Sequence, residues 1–233
     1  MQPRFAALLS RFGATAPEAG LDAAGTALLA AYSTPKRFYH TAAHLADVME
    51  KLDWAKTALQ DTGELDMMTP REAARMFDVI ELALWYHDAV YDATLKDNEA
   101  KSRDWFLKDA KIFGLAEDLQ RDVAALIDLT AHHKKAATLP ERILTDCDLA
   151  ILGAAPADFA VYDANIRKEY AHVPAAAYKT GRYNVLQGFL NQPQVFKTGA
   201  FRNKYEAAAR ANLSATPKPA VLRLRDWLIK PKR

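Results

Sequence analysis

His40 and His44 stand four residues apart, His87 and Asp88 are adjacent, and a later triplet reads Asp146-Cys147-Asp148. Imidazoles and carboxylates are the N and O ligands of Mn, Fe, Zn, Co, Ni or Mg rather than of soft copper sites. Side chains at i and i+4 share a helix face, so the spacing predicts His40 and His44 one above the other. Val48 and Leu52 continue their stripe toward the interior. His87 extends the apolar face of Ala73, Phe77, Ile80 and Leu84, and Asp88 lies four residues after Leu84. A buried carboxylate needs a partner, and a bound cation is one remedy. The joint pattern points to a divalent ion held on helices, a place to activate water, and hence to hydrolysis.

The elements that must position these residues read as helices throughout, with no alternating strand or hairpin turn. Apolar periodicity marks helices over about 21–32 and from Thr41 to a turn at Thr62-Gly63. Thr69-Pro70-Arg71-Glu72 is a start signal: an N-cap Thr, Pro at the first helical position and Glu three residues after the cap. Further helices are expected over 97–112, 116–133, 140–151, 156–170, 174–190, 202–213 and 217–229, with Gly114 and Gly153 as stops. No repeat or low-complexity segment interrupts them. The fold class is all-α, a single domain over 1–233 with its metal-site core at about 36–153 and a helical extension from about 154.

The 233 residues are ample for a hydrophobic core without staples. Half are hydrophobic and 26% are charged, the balance of an ordinary globular chain. A net charge of +2 gives no nucleic-acid footprint. The basic C-terminal residues Lys218, Arg223, Arg225, Lys230, Lys232 and Arg233 read as a solvated tail. The single cysteine, Cys147, excludes an intrachain disulfide and reads as a small buried apolar residue in a reducing compartment. The apolar run near the N-terminus is too short for a signal peptide, and no stretch spans a bilayer, so neither membrane nor nucleic acid is an expected partner and the cytoplasm is the expected location. There is no Walker loop, GxSxG elbow or CxxC pair.

Tyr39-His40-Thr41-Ala42-Ala43-His44-Leu45-Ala46-Asp47-Val48, followed by Trp85-Tyr86-His87-Asp88, resembles the HD superfamily of metal-dependent phosphohydrolases. The first stretch is similar to the Tyr-His-Asn-x-x-His-Ala-x-Asp-Val helix of cyclic-nucleotide phosphodiesterases. A little-characterised bacterial HD group is matched further by 87–92, Asp97-Asn98-Glu99, 146–153 and Ile166-Arg167-x-Glu169-Tyr170. The resemblance implies an HD-domain helical bundle with His44, His87, Asp88 and Asp148 as ligands of a divalent metal ion, Asp146 being the fallback for the last. It implies His40 as general acid to the leaving oxygen, and Asp92 as an acidic residue near the reacting water. Tyr91 stands where hydrolases of guanosine tetraphosphate have a Glu, which argues against that substrate. Thr130-x-x-His133 matches the bacterial pattern, so His133 is preferred to His132 as a further catalytic residue.

A phosphate needs permanent positive charge, and a guanidinium fork suits it. Arg37, Arg167 and Arg182 are the candidates, with Glu99 as a further substrate-side residue. The expected activity is hydrolysis of a small phosphorylated metabolite, a nucleotide or other phosphomonoester. The rivals are an HD-type di-iron oxygenase and a silent metal- or nucleotide-binding regulatory module. Oligomeric state is left open, a homodimer among the arrangements allowed.

Overall fold

The computed structural model describes residues 1–222, apart from the side chains of residues 133 and 134. Among the described residues there are helices and turns but no strand. In chain order the α-helices are α1 (Gln2–Arg11), α2 (Glu18–Ala31), α3 (Ala42–Asp61), α4 (Pro70–Tyr86), α5 (Asn98–Ile112), α6 (Glu117–Leu129), α7 (Leu139–Leu149), α8 (Pro156–Glu169), α9 (Ala175–Leu190) and α10 (Gly199–Ala215). Short 3-10 turns follow α6 (Thr130–Lys135) and α7 (Ala150–Gly153).

Helix α4 is the central rod. It begins with the capping box expected at Thr69: Thr69 Oγ1 accepts from the Glu72 amide at 3.3 Å, and Glu72 Oε2 accepts from the Thr69 amide at 2.8 Å. Its second half is buried on every side, from Val79 to Tyr86, because α1, α3, α5, α6 and α7 all pack against it. One hydrophobic cluster runs from Phe5 to Leu213, so the segment after residue 154 is part of the core rather than an appendage. Helix α10 rests on the turn at 150–153, where a Cβ on Gly153 would meet the Tyr205 carbonyl oxygen at 2.7 Å. Gly153 is therefore a close-approach residue as well as a helix stop.

Three details depart from the sequence reading. Helix α1 is not expected from the sequence, and it forms with Phe5, Leu8 and Leu9 fully buried against the bundle. The helix expected over 116–133 ends at Leu129, and His132 adopts φ −143°, ψ 48°. Helix α3 starts at Ala42, since Thr41 is its N-cap in extended geometry and accepts from the Ala43 amide, so His40 lies in a turn before the helix. Most of the helix expected over 217–229, with Arg223, Arg225 and the basic C-terminus, lies outside the described residues. No helix among them is long and apolar enough to cross a membrane.

Glu81 sits inside the core at 2% exposure, and Arg4 of α1 answers it. Arg4 Nε and Nη2 donate to its two carboxylate oxygens at 2.7 and 2.8 Å, while Nη1 and Nη2 also reach Asp53 of α3. One guanidinium thus ties α1, α3 and α4 together. Removing one member of a buried pair leaves an uncompensated charge. Arg4→Leu is expected to cost about 3 kcal/mol in urea unfolding, and a loss below about 1 kcal/mol would contradict this role.

Candidate metal centre

Four side chains from three helices meet beneath the N-terminus of α3. His44 projects from its first turn, His87 and Asp88 follow the last residue of α4, and Asp148 lies in the last turn of α7. His44, His87 and Asp88 each offer a ligand atom within 4.8 Å of the others, a group that could hold a metal ion. His44 Nε2 and His87 Nε2 are 3.2 Å apart, and Asp88 Oδ2 is 3.6 and 3.2 Å from them. Asp148 Oδ1 adds itself at 3.3 Å from His44 Nε2 and 3.6 Å from His87 Nε2. Adjacent donors on one ion, bound at roughly 2.0–2.2 Å, stand about 3–3.6 Å apart.

The donor chemistry fits a cation. His87 Nδ1 donates to the Leu84 carbonyl at 2.8 Å, which leaves Nε2 as a lone pair facing the other donors. His44 Nδ1 is buried without a partner, so no neighbour dictates its tautomer. Two imidazole Nε2 atoms and two carboxylate oxygens converge, and electron-rich atoms this close repel unless protons or a cation lie between them. Burial opposes charge on His87, yet Asp88 and its neighbours hold it well above the usual imidazole value. Burial would likewise raise Asp88, but His87, His40 and His44 outweigh it and hold that carboxylate far below its usual range.

His40 enters from the turn, with Nε2 4.0 Å from Asp88 Oδ2. Its Nδ1 is 2.7 Å from Glu169 Oε2, and its ring stacks on Tyr91 at 4.1 Å. Glu169 Oε1 accepts from the amides of Phe38, Tyr39 and His40 at 2.8, 2.7 and 3.0 Å, and Tyr91 donates its hydroxyl to Oε2 at 3.0 Å. Burial works against charge on His40, but Asp88 and Glu169 prevail and hold it above its ordinary value. Against the same penalty, His40 and the three amides hold Glu169 down at about 2.

Glu169, quoted in a matched stretch of the sequence but given no role there, is the carboxylate that partners His40. Its signal was an acidic side chain in the last turn of α8, where the helix dipole disfavours negative charge and another partner must compensate.

Asp88 and Asp148 of the cluster, with His40, line a cavity of about 650 Å³ that has Tyr39, Glu99, Tyr162, Tyr178 and Arg182 among its walls. Glu99 and Arg182 thus both line the cavity. The remaining candidates are held elsewhere. Arg37 is buried and spends its donors on the Thr34 hydroxyl and the carbonyls of His40, Asp88 and Ala89, so it clamps the two motif segments instead of facing a phosphate. Arg167 donates to the Tyr170 and Val173 carbonyls behind α8. Asp92 lines a neighbouring cavity and accepts from the amide and hydroxyl of Thr94; α4 has ended, so four residues after Asp88 is no longer one helical turn.

Asp146 is not a ligand: Oδ1 accepts from the Lys197 amide, and Oδ2 from the Thr198 amide and hydroxyl, each at 2.8 Å. Cys147 is buried, and burial pushes its thiol up. His132 is exposed, whereas the His133 side chain lies outside the described residues. Comparison with known proteins finds no matching family model, curated protein or solved structure.

Two outcomes follow. Asp146→Ala strands three donors at the start of α10 and should cost about 2–4 kcal/mol with metal content retained. Asp148→Ala should do the reverse, and elemental analysis beside denaturant melts separates the two; metal loss from Asp146→Ala would overturn the assignment. Because the folded pKa of Glu169 is depressed from 4.5, its stabilisation is complete above that value and lost as pH falls toward 2. The wild type should lose about 2–3 kcal/mol across that window through this group, and Glu169→Gln should show a flatter acid limb; an unchanged limb contradicts the account.

Proposed function

We propose that the protein is an HD-type, metal-dependent hydrolase of a small phosphorylated metabolite, a nucleotide or other phosphomonoester. The observation that carries this reading is His40, held by Glu169, with its Nε2 4.0 Å from Asp88 of the four-donor cluster. Neither half alone argues for turnover: a cluster can be structural, and a salt-bridged histidine is common. Together they supply a proton donor beside a cation site.

His44, His87, Asp88 and Asp148 would hold the ion. When bound, a divalent cation there supplies Lewis-acid charge to a phosphoryl oxygen and acidifies a water to serve as nucleophile. The chain does the rest. The His87 bond to the Leu84 carbonyl fixes the ring so that Nε2 points to the other donors. Glu169 accepts from His40 Nδ1 and stabilises the imidazolium, leaving Nε2–H to deliver a proton to the departing oxygen. Tyr91 beneath the ring and Tyr39 at its edge, 5.0 Å between centroids, hold the imidazole in that orientation. Arg182 contributes permanent positive charge to the cavity wall.

Oxygenase chemistry on two irons needs further imidazoles. Among the described residues, His132 is exposed and His172 lines the neighbouring cavity, so neither joins the cluster.

The test is phosphate release from a panel of nucleotides and phosphomonoesters by protein reconstituted with Mn, Fe, Zn, Co, Ni or Mg. His44→Ala and Asp88→Ala should lose metal and turnover together, whereas His40→Ala should keep the metal and lower kcat by about 10²–10⁴. Tight nucleotide binding with no product under any cation would favour a regulatory module instead.

A further inference from the structure

The cavity has a second polar end. Helix α9 forms its far wall, and Tyr178 and Arg182, one turn apart on that helix, both line it. Arg182 Nε donates to Asp163 Oδ1 at 2.8 Å, and its guanidinium lies 4.9 Å from the Tyr162 ring centroid. Its Nη2 is nevertheless buried with no hydrogen-bond partner, and so is the Tyr178 hydroxyl. Buried donors are rarely left unpaired, because each forfeits its bonds to water without replacement. The two lie one turn apart on one helix, and both residues line the same cavity, so a small side-chain adjustment offers both donors to an acceptor placed there.

Charge and lining point the same way. Of the described residues around this cavity, Arg182 is the single permanent cation, whereas Asp88, Asp148 and Glu99 are acidic. From the cluster to Arg182 the wall is aromatic: Tyr39 packs on His44 at 4.8 Å, Tyr162 on Tyr39 at 4.5 Å, and Arg182 on Tyr162. Leu149, Ile151, Val185 and Phe189 add apolar surface. A volume of about 650 Å³ far exceeds what a lone phosphate occupies and is in the range that encloses a drug-sized molecule.

We infer that Arg182 and Tyr178 form a second oxyanion subsite, so that the ligand is an elongated molecule with a phosphoryl group at the metal centre, an aromatic or apolar middle, and a carboxylate or second phosphate at α9. The phosphoryl end rests on the hydrolase reading above; the α9 end stands on its own unpaired donors.

Binding is measured by calorimetry on the full chain loaded with Mn, using phosphonates whose C–P bond resists hydrolysis. Benzylphosphonate is compared with 4-carboxybenzylphosphonate, with its biphenyl homologue to vary the span, and with the corresponding bisphosphonates. At least one doubly anionic probe should bind tenfold or more tightly than its singly anionic parent. That gain should vanish in Arg182→Gln and fall at least threefold in Tyr178→Phe, which removes only a hydroxyl. If Arg182→Gln fails to fold, Tyr178→Phe decides, and a gain it leaves intact overturns the subsite. A gain with carboxylate alone or phosphonate alone identifies which oxyanion the subsite takes. Equal affinities across the whole series in the wild type overturn the subsite even if phosphomonoesters are hydrolysed. Conversely, an Arg182-dependent gain without phosphate release from any substrate retains the subsite and removes the hydrolase.

Discussion

Two buried charges grip the turn at residues 37–40, one by its carbonyl side and one by its amide side. Arg37 donates to the His40 carbonyl and to those of Asp88 and Ala89, while Glu169 accepts from the amides of Phe38, Tyr39 and His40. Either ion buried alone would be costly to desolvate. Here each is solvated by backbone dipoles, and each lies within the other's field. The turn is thereby fixed to the end of α4 on one side and to the end of α8 on the other, three segments far apart in sequence. This arrangement holds His40 beside Asp88, while the packing of α3 on α4 brings His44 to His87.

The same constraint explains why the C-terminal helices belong to the candidate site. Glu169 comes from α8, and the cavity over the cluster is walled by α8 and α9. Helix α10, seated on Gly153, closes the bundle behind α7. The Asp146-Cys147-Asp148 triplet sits at that junction and sends its three side chains three ways. Asp146 caps the approach to α10, Cys147 fills the core, and Asp148 reaches the imidazoles. Each residue of a helix turns the side-chain direction by about 100°, so neighbours in sequence need not share a destination.

The site is also economical in its use of ionisable groups. His87 and Asp88 perturb one another in opposite senses, as do His40 and Glu169. Perturbed titrations of this kind cluster where chemistry is done, although structural ion pairs produce them too. Arg4 is the structural counterpart in this molecule: Glu81 and Asp53 raise its guanidinium above the ordinary value, and it does not line the cavity beside the cluster.

The types and spacing of local signals were enough for much of the fold. Apolar periodicity, the Thr69 capping box and the glycine stops located most helices, because these depend on residues within one or two turns of each other. The grouping of His44, His87 and Asp88, which could hold a metal ion, was legible for a related reason: buried imidazoles and a carboxylate on apolar faces need something that compensates them. What tertiary structure alone decided was the use of the remaining charges. Arg37, Arg167, Asp92 and Asp146 look like substrate or metal residues in sequence, yet each is consumed by backbone groups or hydroxyls that only folding brings near. Glu169 carried the opposite fate, because its partners lie about 130 residues away and no local rule links a helix C-terminus to that turn.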